Sequence, residues 1–343
     1  MTKIIQSDRS QTVVVAGGAG FIGSNFIRTV IEITQWSVIV IDKLTYAGNL
    51  LNLDGLPSDR VRFVVGDVCD KELVDSIAKN ADAIVNFAAE SHNDRSLYAA
   101  GPFLKTNVEG TFVLIEAARR FHIRYHHVST DEVYGDLPIE TDTSFTLASP
   151  YRPSSPYSAT KAAADHLVSA WVRSFGVQAT TSICVNNYGP YQHIEKFIPR
   201  QITNLLTTRR PKLYGTGRNV REWLHVYDHV FGIMKILTSG QIGKSYLLSS
   251  GLGLSNIDVL RLILEIMEFP EDYFDCVIDR PGHDRRYALD STSTKSELNW
   301  SPRYSDFRAG LKDTIQWYKE NVDWWIENKR NVEEQYARRE ASS

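Results

Sequence analysis

Tyr157 and Lys161 stand four residues apart in Tyr157-Ser-Ala-Thr-Lys161, a run whose pattern predicts a helix, so both side chains share one face. A free phenol, with a pKa of about 10, is a poor base at neutral pH. A lysine cation about 4 Å away contributes on the order of 4 kcal/mol at an effective dielectric of about 20, which lowers the phenol by roughly three pKa units. So lowered, Tyr157 can accept a hydroxyl proton while hydride leaves the same carbon. Asp131 and Glu132 close an apolar run just upstream, and Thr130 before them can hydrogen-bond that hydroxyl. Adjacent carboxyls in a partly dry pocket push their pKa values apart, one protonated and one ionised, which suits the removal of water. The same residues also fit blander roles: a solvated pair on a helix face, and acids capping a loop. Their place in the fold decides between the two.

Short runs rich in Val and Ile at Thr12–Ala16, Ser37–Ile41, Arg62–Val65, Ala83–Phe87, Tyr125–Ser129 and Thr180–Val185 read as buried strands. Helical patterns alternate with them near Phe21–Ile33, Lys71–Lys79, Thr106–Arg120 and Tyr157–Phe175. This alternation predicts an α/β fold, a Rossmann-type doubly wound parallel sheet that binds ligands at its strand C-termini. A smaller, mixed α/β substrate-binding domain is expected to accompany it. After about Asn186 the rhythm breaks into proline, glycine and aromatic clusters. The expected division is residues 1–185 plus roughly 222–250 for the nucleotide fold, 186–221 and 251–327 for the second part, and 328–343 as a loose or solvated polar tail.

Gly17, Gly20 and Gly23 form a turn between the first predicted strand and the helix beginning at Phe21. Glycine lets the backbone turn sharply and approach a pyrophosphate, while the helix N-terminus offers N–H groups and a favourable dipole. Asp42 ends the next strand, where a carboxylate accepts a ribose diol and repels a 2′-phosphate, favouring NAD over NADP. Lys43 follows immediately and works against that preference. Asp67 is placed either to contact the adenine or to cap a helix. Phe87-Ala88-Ala89 ends the fourth strand with the small residues a closely packed cofactor needs.

At 343 residues, with 43% hydrophobic content, the chain is long enough for one large domain or two fused ones. A net charge of −3 gives no global bias towards nucleic acid or anionic membranes, so an anionic ligand must be held by local cations. No apolar stretch approaches the length of a membrane span, and the first ten residues lack a secretion signal. Cys69, Cys184 and Cys276 are far apart and odd in number, which predicts reduced, structural thiols in a cytoplasmic protein. His126 and His127 would point to opposite faces of a strand, and no metal site is expected. Trp317, Trp324 and Trp325 have helical spacing and read as core or interface.

Longer blocks carry a resemblance. Asp42-Lys-Leu-Thr-Tyr-Ala-Gly-Asn49, Ala88-Ala-Glu-Ser-His-Asn-Asp-Arg-Ser96, Ser129-Thr-Asp-Glu-Val-Tyr-Gly-Asp136, Asn186-Asn-Tyr-Gly-Pro-Tyr-Gln192 and Asp279-Arg-Pro-Gly-His-Asp-Arg-Arg-Tyr287 resemble the dTDP-glucose 4,6-dehydratase family. That family lies within the extended short-chain dehydrogenase/reductase superfamily, and the similarity runs from about residue 12 to about residue 320. It implies a hydro-lyase in which Tyr157 takes the O4 proton, Glu132 the C5 proton, and protonated Asp131 gives its proton to the departing C6 hydroxyl. A tightly bound NAD would be regenerated at each turnover. The expected cofactor set is Gly17, Gly20, Phe21, Ile22, Gly23, Asp42, Lys43, Leu44, Thr45, Asp67, Val68, Phe87, Ala88, Ala89, Thr106, Tyr157, Lys161 and Asn187. Lys196, Arg221 and Arg280 fall where diphosphate and nucleoside contacts are expected, Tyr214 and His283 at the nucleoside, and Ser91 and Thr130 at the glucose. Asn186, Phe197, Lys212 and Asn256 complete the expected nucleotide-sugar site. The helices near Thr106–Arg120 and Tyr157–Phe175 would form a homodimer interface.

Asn93, Val185, Glu222, His225, Tyr227 and Tyr246–Ser250 depart from the usual family pattern. Two competing readings stay open. A UDP-sugar 4-epimerase or decarboxylase on the same scaffold needs Tyr157, Lys161 and NAD but has no use for the acid pair. A non-catalytic NAD-binding sensor needs none of the four.

Overall fold

The computed structural model describes residues 10–279 and 283–340. Its twelve strands are β1 (Thr12–Ala16), β2 (Ser37–Asp42), β3 (Val61–Val65), β4 (Ala83–Asn86), β5 (Arg124–Thr130), β6 (Ala179–Cys184), β7 (Asn186–Tyr188), β8 (Lys212–Tyr214), β9 (Val220–His225), β10 (Ser245–Leu248), β11 (Gly253–Ser255) and β12 (Asp275–Val277). Seven of them form one parallel sheet in the order β10-β6-β5-β4-β1-β2-β3. The chain runs outward from β1 to β3, then returns to β4 on the other side of β1, leaving a crevice at the strand C-termini where the order reverses.

Alternation within β1 explains why both faces must be covered. Val13 and Val15 sit in one core with Phe26, Ile27 and Val30 of the helix Phe21–Ile33, and Val14 and Ala16 in a second with Val74, Leu114 and Ile115. Successive strand side chains point to opposite faces, so a fully apolar strand needs helices on both. The helix Val226–Ser239 completes the first core through Val226, Val230 and Ile233.

The second part holds a three-stranded sheet, β11-β9-β7, and the pair β12-β8. Its core joins Tyr188, Ile198, Trp223, Ile263, Phe307, Leu311 and Trp325. Two details differ from the expected division. Trp223 packs with this part's core while Leu224 and Val226 pack with the first, so the chain returns to the large sheet's core within β9 rather than at 222. Leu289, Leu298 and Trp300, expected in the second part, belong to the first core.

The C-terminus also departs from expectation. Residues expected to form a loose polar tail continue the helix Val322–Glu340, which buries Trp325, Lys329, Val332 and Tyr336. Tyr336 Oη donates to the Glu195 carbonyl at 3.1 Å, and Arg200 pairs with Glu333 at 3.1 Å. The four buried residues recur at three- and four-residue intervals, a stripe that high average polarity conceals. Among the described residues no helix is long and apolar enough to cross a membrane.

Candidate active site

One cleft, about 1540 Å³ when counted out to its open mouth, lies at the C-terminal ends of β1, β2, β4, β5 and β6. Its cofactor side is shaped by backbone. Gly17 has φ +74°, and a Cβ there would fall 2.6 Å from the Ala88 nitrogen; one on Gly23 would fall 2.4 Å from the Gly17 carbonyl. Both contacts are impossible for a larger residue, so the turn packs against the end of β4 only as glycine. No side chain caps the helix Phe21–Ile33, which leaves its N-terminal dipole facing the turn. Asp42 accepts from the Ala19 N–H at 3.1 Å and the Leu44 N–H at 2.9 Å, which fixes the carboxylate at the crevice rim. Burial raises its pKa against those two hydrogen bonds. Lys43 is turned aside: its ammonium donates to Thr106 Oγ1 at 2.9 Å and lies 3.7 Å from Asp67.

Of the expected cofactor residues, Gly17, Gly20, Phe21, Ile22, Gly23, Asp42, Lys43, Thr45, Val68, Phe87, Ala88, Ala89, Thr106, Tyr157, Lys161 and Asn187 line the cleft. Leu44 and Asp67 do not; Leu44 takes a positive φ of 54° in the loop, and Asp67 accepts from the Cys69 N–H. Thr106 lies in a wide π turn, Leu104–Glu109, ahead of the helix Gly110–Phe121. The neighbouring Asn107 bonds Glu90 and Thr160 from that turn, tying it to the helix that carries Tyr157.

That helix, Pro156–Phe175, starts at a capping box of Ser155 and Ser158 with proline at its first position. Tyr157 and Lys161 both line the cleft, but their electrostatics differ from the expectation of a lysine-lowered phenol. Burial and the nearby Glu132 push Tyr157 well above its ordinary value, with the Thr130 hydroxyl working the other way. The Lys161 ammonium is directed to the Val128 carbonyl at 2.7 Å and His127 Nε2 at 3.3 Å, and burial lowers its pKa while Asp165 opposes the fall. The phenol is thus protonated in this state. Asp165, buried one turn beyond Lys161, accepts from Ser129 at 2.7 Å and Tyr151 at 2.9 Å and lies 3.3 Å from His127. Burial and Lys161 hold His127 down to about 4, so Asp165 is the counter-charge for the lysine.

The two acids sit at different depths. Glu132 lines the cleft, and its Oε2 accepts from Asn93 Nδ2 at 2.5 Å. Asp131, expected to donate to the C6 hydroxyl, lies behind it and is only 2% exposed. Its Oδ1 accepts from Thr130 at 3.2 Å, while Oδ2 is buried without a partner among the described residues. Burial first, and Glu132 second, raise Asp131 well above the usual carboxylate range. The pair is therefore unequal, with a protonated acid behind the residue that faces the cleft.

The expected nucleotide-sugar residues divide. Ser91, Thr130, Asn186 and Lys196 line the cleft, with Lys196 Nζ donating to the Ser91 carbonyl at 2.7 Å. Phe197, Lys212, Tyr214, Arg221, Asn256 and His283 do not, because the protein's own groups hold most of them. Phe197 stacks with Trp223, and Lys212 pairs with Asp275 at 2.8 Å. Arg221 bonds the Val220 and Asp284 carbonyls at 2.8 Å and lies over Tyr287. His283 pairs with Asp279 at 2.7 Å and meets Tyr214 edge-on, and Asn256 begins a helix. Arg280 lies outside the described residues.

Sequence reasoning missed Tyr46, Glu90, His193 and Glu195, which line the cleft, and Asn93 and Asp165 behind it. Arg95 lies 3.9 Å over the Tyr46 ring, and burial pushes that phenol up to about 12. Asp165 had a readable signal, since it repeats the four-residue step from Tyr157 to Lys161. Asn93 had none.

Comparison with known proteins agrees with this geometry. The family model for GDP-mannose 4,6 dehydratase matches residues 14–314. The chain is 54% identical, over 95% of its length and 99% of the relative's, to a dTDP-glucose 4,6-dehydratase of Mycolicibacterium smegmatis. It is 44% identical to a dTDP-glucose 4,6-dehydratase of Streptomyces venezuelae crystallised with NAD bound, with a TM-score of 0.88 over 92% of this chain and 98% of that one. A UDP-glucose 4-epimerase of Thermotoga maritima shares the fold at 24% identity and a TM-score of 0.84, over 91% of this chain and 99% of that one. The chain belongs to the dTDP-glucose 4,6-dehydratases, within the short-chain dehydrogenase/reductase superfamily.

Proposed function

We propose that the protein is an NAD-dependent hydro-lyase that converts dTDP-glucose to dTDP-4-keto-6-deoxyglucose. The observation that carries this reading is the unequal acid pair beside Tyr157: Glu132 in the cleft and Asp131 buried and raised behind it. NAD, when bound, supplies the acceptor for the C4 hydride and returns that hydride to C6. The cradle fits it, with Gly17 and Gly23 excluding any Cβ, Asp42 fixed at the ribose position and Lys43 diverted from it.

Tyr157 must first release its own proton; as the phenolate, with Lys161 turned from the Val128 carbonyl as the offsetting cation, it takes the O4 proton. The 4-ketone acidifies C5, and Glu132 removes its proton. Asp131 gives its proton to the C6 hydroxyl, which leaves as water. Hydride then joins C6, the proton held by Glu132 returns to C5, and the proton gained at Tyr157 replaces the one lost from Asp131, so atoms and charge balance. Thr130 and Ser91 orient the hexose, and Lys196 is the cleft's cation for the diphosphate. A 4-epimerase shares the scaffold but leaves Asp131 and Glu132 without a task.

The smaller part built around Tyr188, Trp223 and Phe307 is the one proposed to carry the nucleotide end of the substrate. Exposed Leu97, Leu104, Phe112 and Phe175 on adjoining helices fit a homodimer. Three unpaired cysteines fit a cytoplasmic protein. Incubation with dTDP-, UDP- and GDP-glucose and trace NAD+, read by mass spectrometry, tests the function. Loss of one water from dTDP-glucose is expected. Unchanged mass with galactose formed would point to the epimerase, and no turnover despite retained cofactor to a sensor.

A further inference from the structure

Asn93 has no place in the scheme above, yet it bridges two of its parts. Its Nδ2 donates to Glu132 Oε2 at 2.5 Å, and its Oδ1 accepts from Ser155 Oγ at 2.8 Å. Ser155 caps the helix that carries Tyr157 two residues later. The serine cap favours one orientation of this amide. Ser158 Oγ uses its single proton on the Ser155 carbonyl at 3.0 Å and accepts from the Ser155 N–H at 2.9 Å. Ser155 Oγ accepts from the Ser158 N–H at 3.1 Å and lies 2.9 Å from Ser158 Oγ; with the Ser158 proton on the carbonyl, the Ser155 proton goes to Asn93 Oδ1. The amide N–H₂ then faces Glu132, where an ionised carboxyl oxygen accepts more strongly than a neutral one. The backbone of Asn93 is pinned as well, since Ser96 Oγ donates to its carbonyl at 2.7 Å.

We propose that Asn93 is a positioning residue that presents Glu132 to the substrate as a carboxylate and locks it in register with Tyr157 through the Ser155 cap. The proposal deepens the dehydratase reading and rests on it. Asn93 makes the acid pair asymmetric from the cleft side: Glu132 receives a donor, while Asp131 Oδ2 receives none among the described residues. Oxidation at C4 needs Tyr157 and not Glu132, so loss of the Asn93 donor should separate the two half-reactions.

Two variants test this. Asn93→Asp keeps the shape and the acceptor for Ser155 but removes the N–H donor and faces Glu132 with an oxygen. Asn93→Val removes both contacts. Single-turnover absorbance of the reduced cofactor reads C4 oxidation, and mass spectrometry reads water loss. Elimination is expected to slow about ten-fold or more in both variants, more in Asn93→Asp, as for loss of a hydrogen bond to a charged group. Oxidation should stay within about three-fold of wild type, and the isotope effect from C5-deuterated substrate should rise in both. Asn93→Asp with a wild-type ratio of elimination to oxidation would overturn the proposal, as would an equal fall of both steps in both variants. Wild-type protein that leaves dTDP-glucose at full mass would instead overturn the parent reading, and this one with it.

Discussion

The cofactor side of the cleft and its nucleotide-sugar side are built from different materials. The first is backbone: a glycine turn, an uncapped helix end and a carboxylate held by two N–H groups. The second is long side chains, and the protein occupies most of them itself: Lys212 with Asp275, Arg221 with carbonyls and Tyr287, His283 with Asp279. A backbone cradle is organised before its ligand arrives, whereas side chains with internal partners must exchange them when the ligand binds. Changes on the first side should therefore be severe and specific, and changes on the second graded.

The largest effect should come from Gly17→Ala. Its Cβ meets the Ala88 backbone, in a φ that L-residues rarely adopt, so cofactor affinity should fall roughly a thousand-fold. Equilibrium dialysis against NAD+ checks this, and affinity near wild type would show that the turn does not need glycine.

Asp131→Asn comes next. It keeps the shape but cannot give up a proton, so water loss should drop about a hundred-fold while C4 oxidation persists. It should also stabilise the fold at neutral pH. Asp131 is raised above its ordinary 3.8 on folding, so between that value and its folded pKa the native state binds the extra proton. Stability then falls as pH rises through that window, and Asn removes the fall. Melting temperatures of both forms across pH read the effect; parallel curves would argue against a raised Asp131.

Asp165→Asn removes the counter-charge of Lys161 without touching the cleft. It should slow C4 oxidation about ten-fold and leave the commitment to elimination unchanged. Lys212→Gln, on the side-chain half, should raise KM within about three-fold, since a part-exposed ion pair contributes little. A large effect there would mean that Lys212 leaves Asp275 for the substrate and that the contrast between the halves is weaker than drawn.

What could be read from the sequence follows the same division. Runs such as Val13–Ala16 and the glycines after them carry their structure locally, so strand, turn and helix emerge within a residue or two of their expected bounds. Features decided by distant contacts did not. The stripe of Trp325, Lys329, Val332 and Tyr336 was hidden by polar neighbours, and the diversion of Lys161 to Val128 depends on a strand far away in sequence. The different depths of Asp131 and Glu132 are set by the short 3₁₀ turn Asp131–Tyr134, which residue types alone do not reveal. Asn93 gains its place only because the Ser155 cap and Glu132 meet it from separate segments.

The most direct test of the central claim follows one atom. dTDP-glucose carrying deuterium at C4 should give a 4-keto product that has lost one water and bears the label on its C6 methyl group. Label washed into solvent, or retained at C4 of a sugar of unchanged composition, would contradict the account.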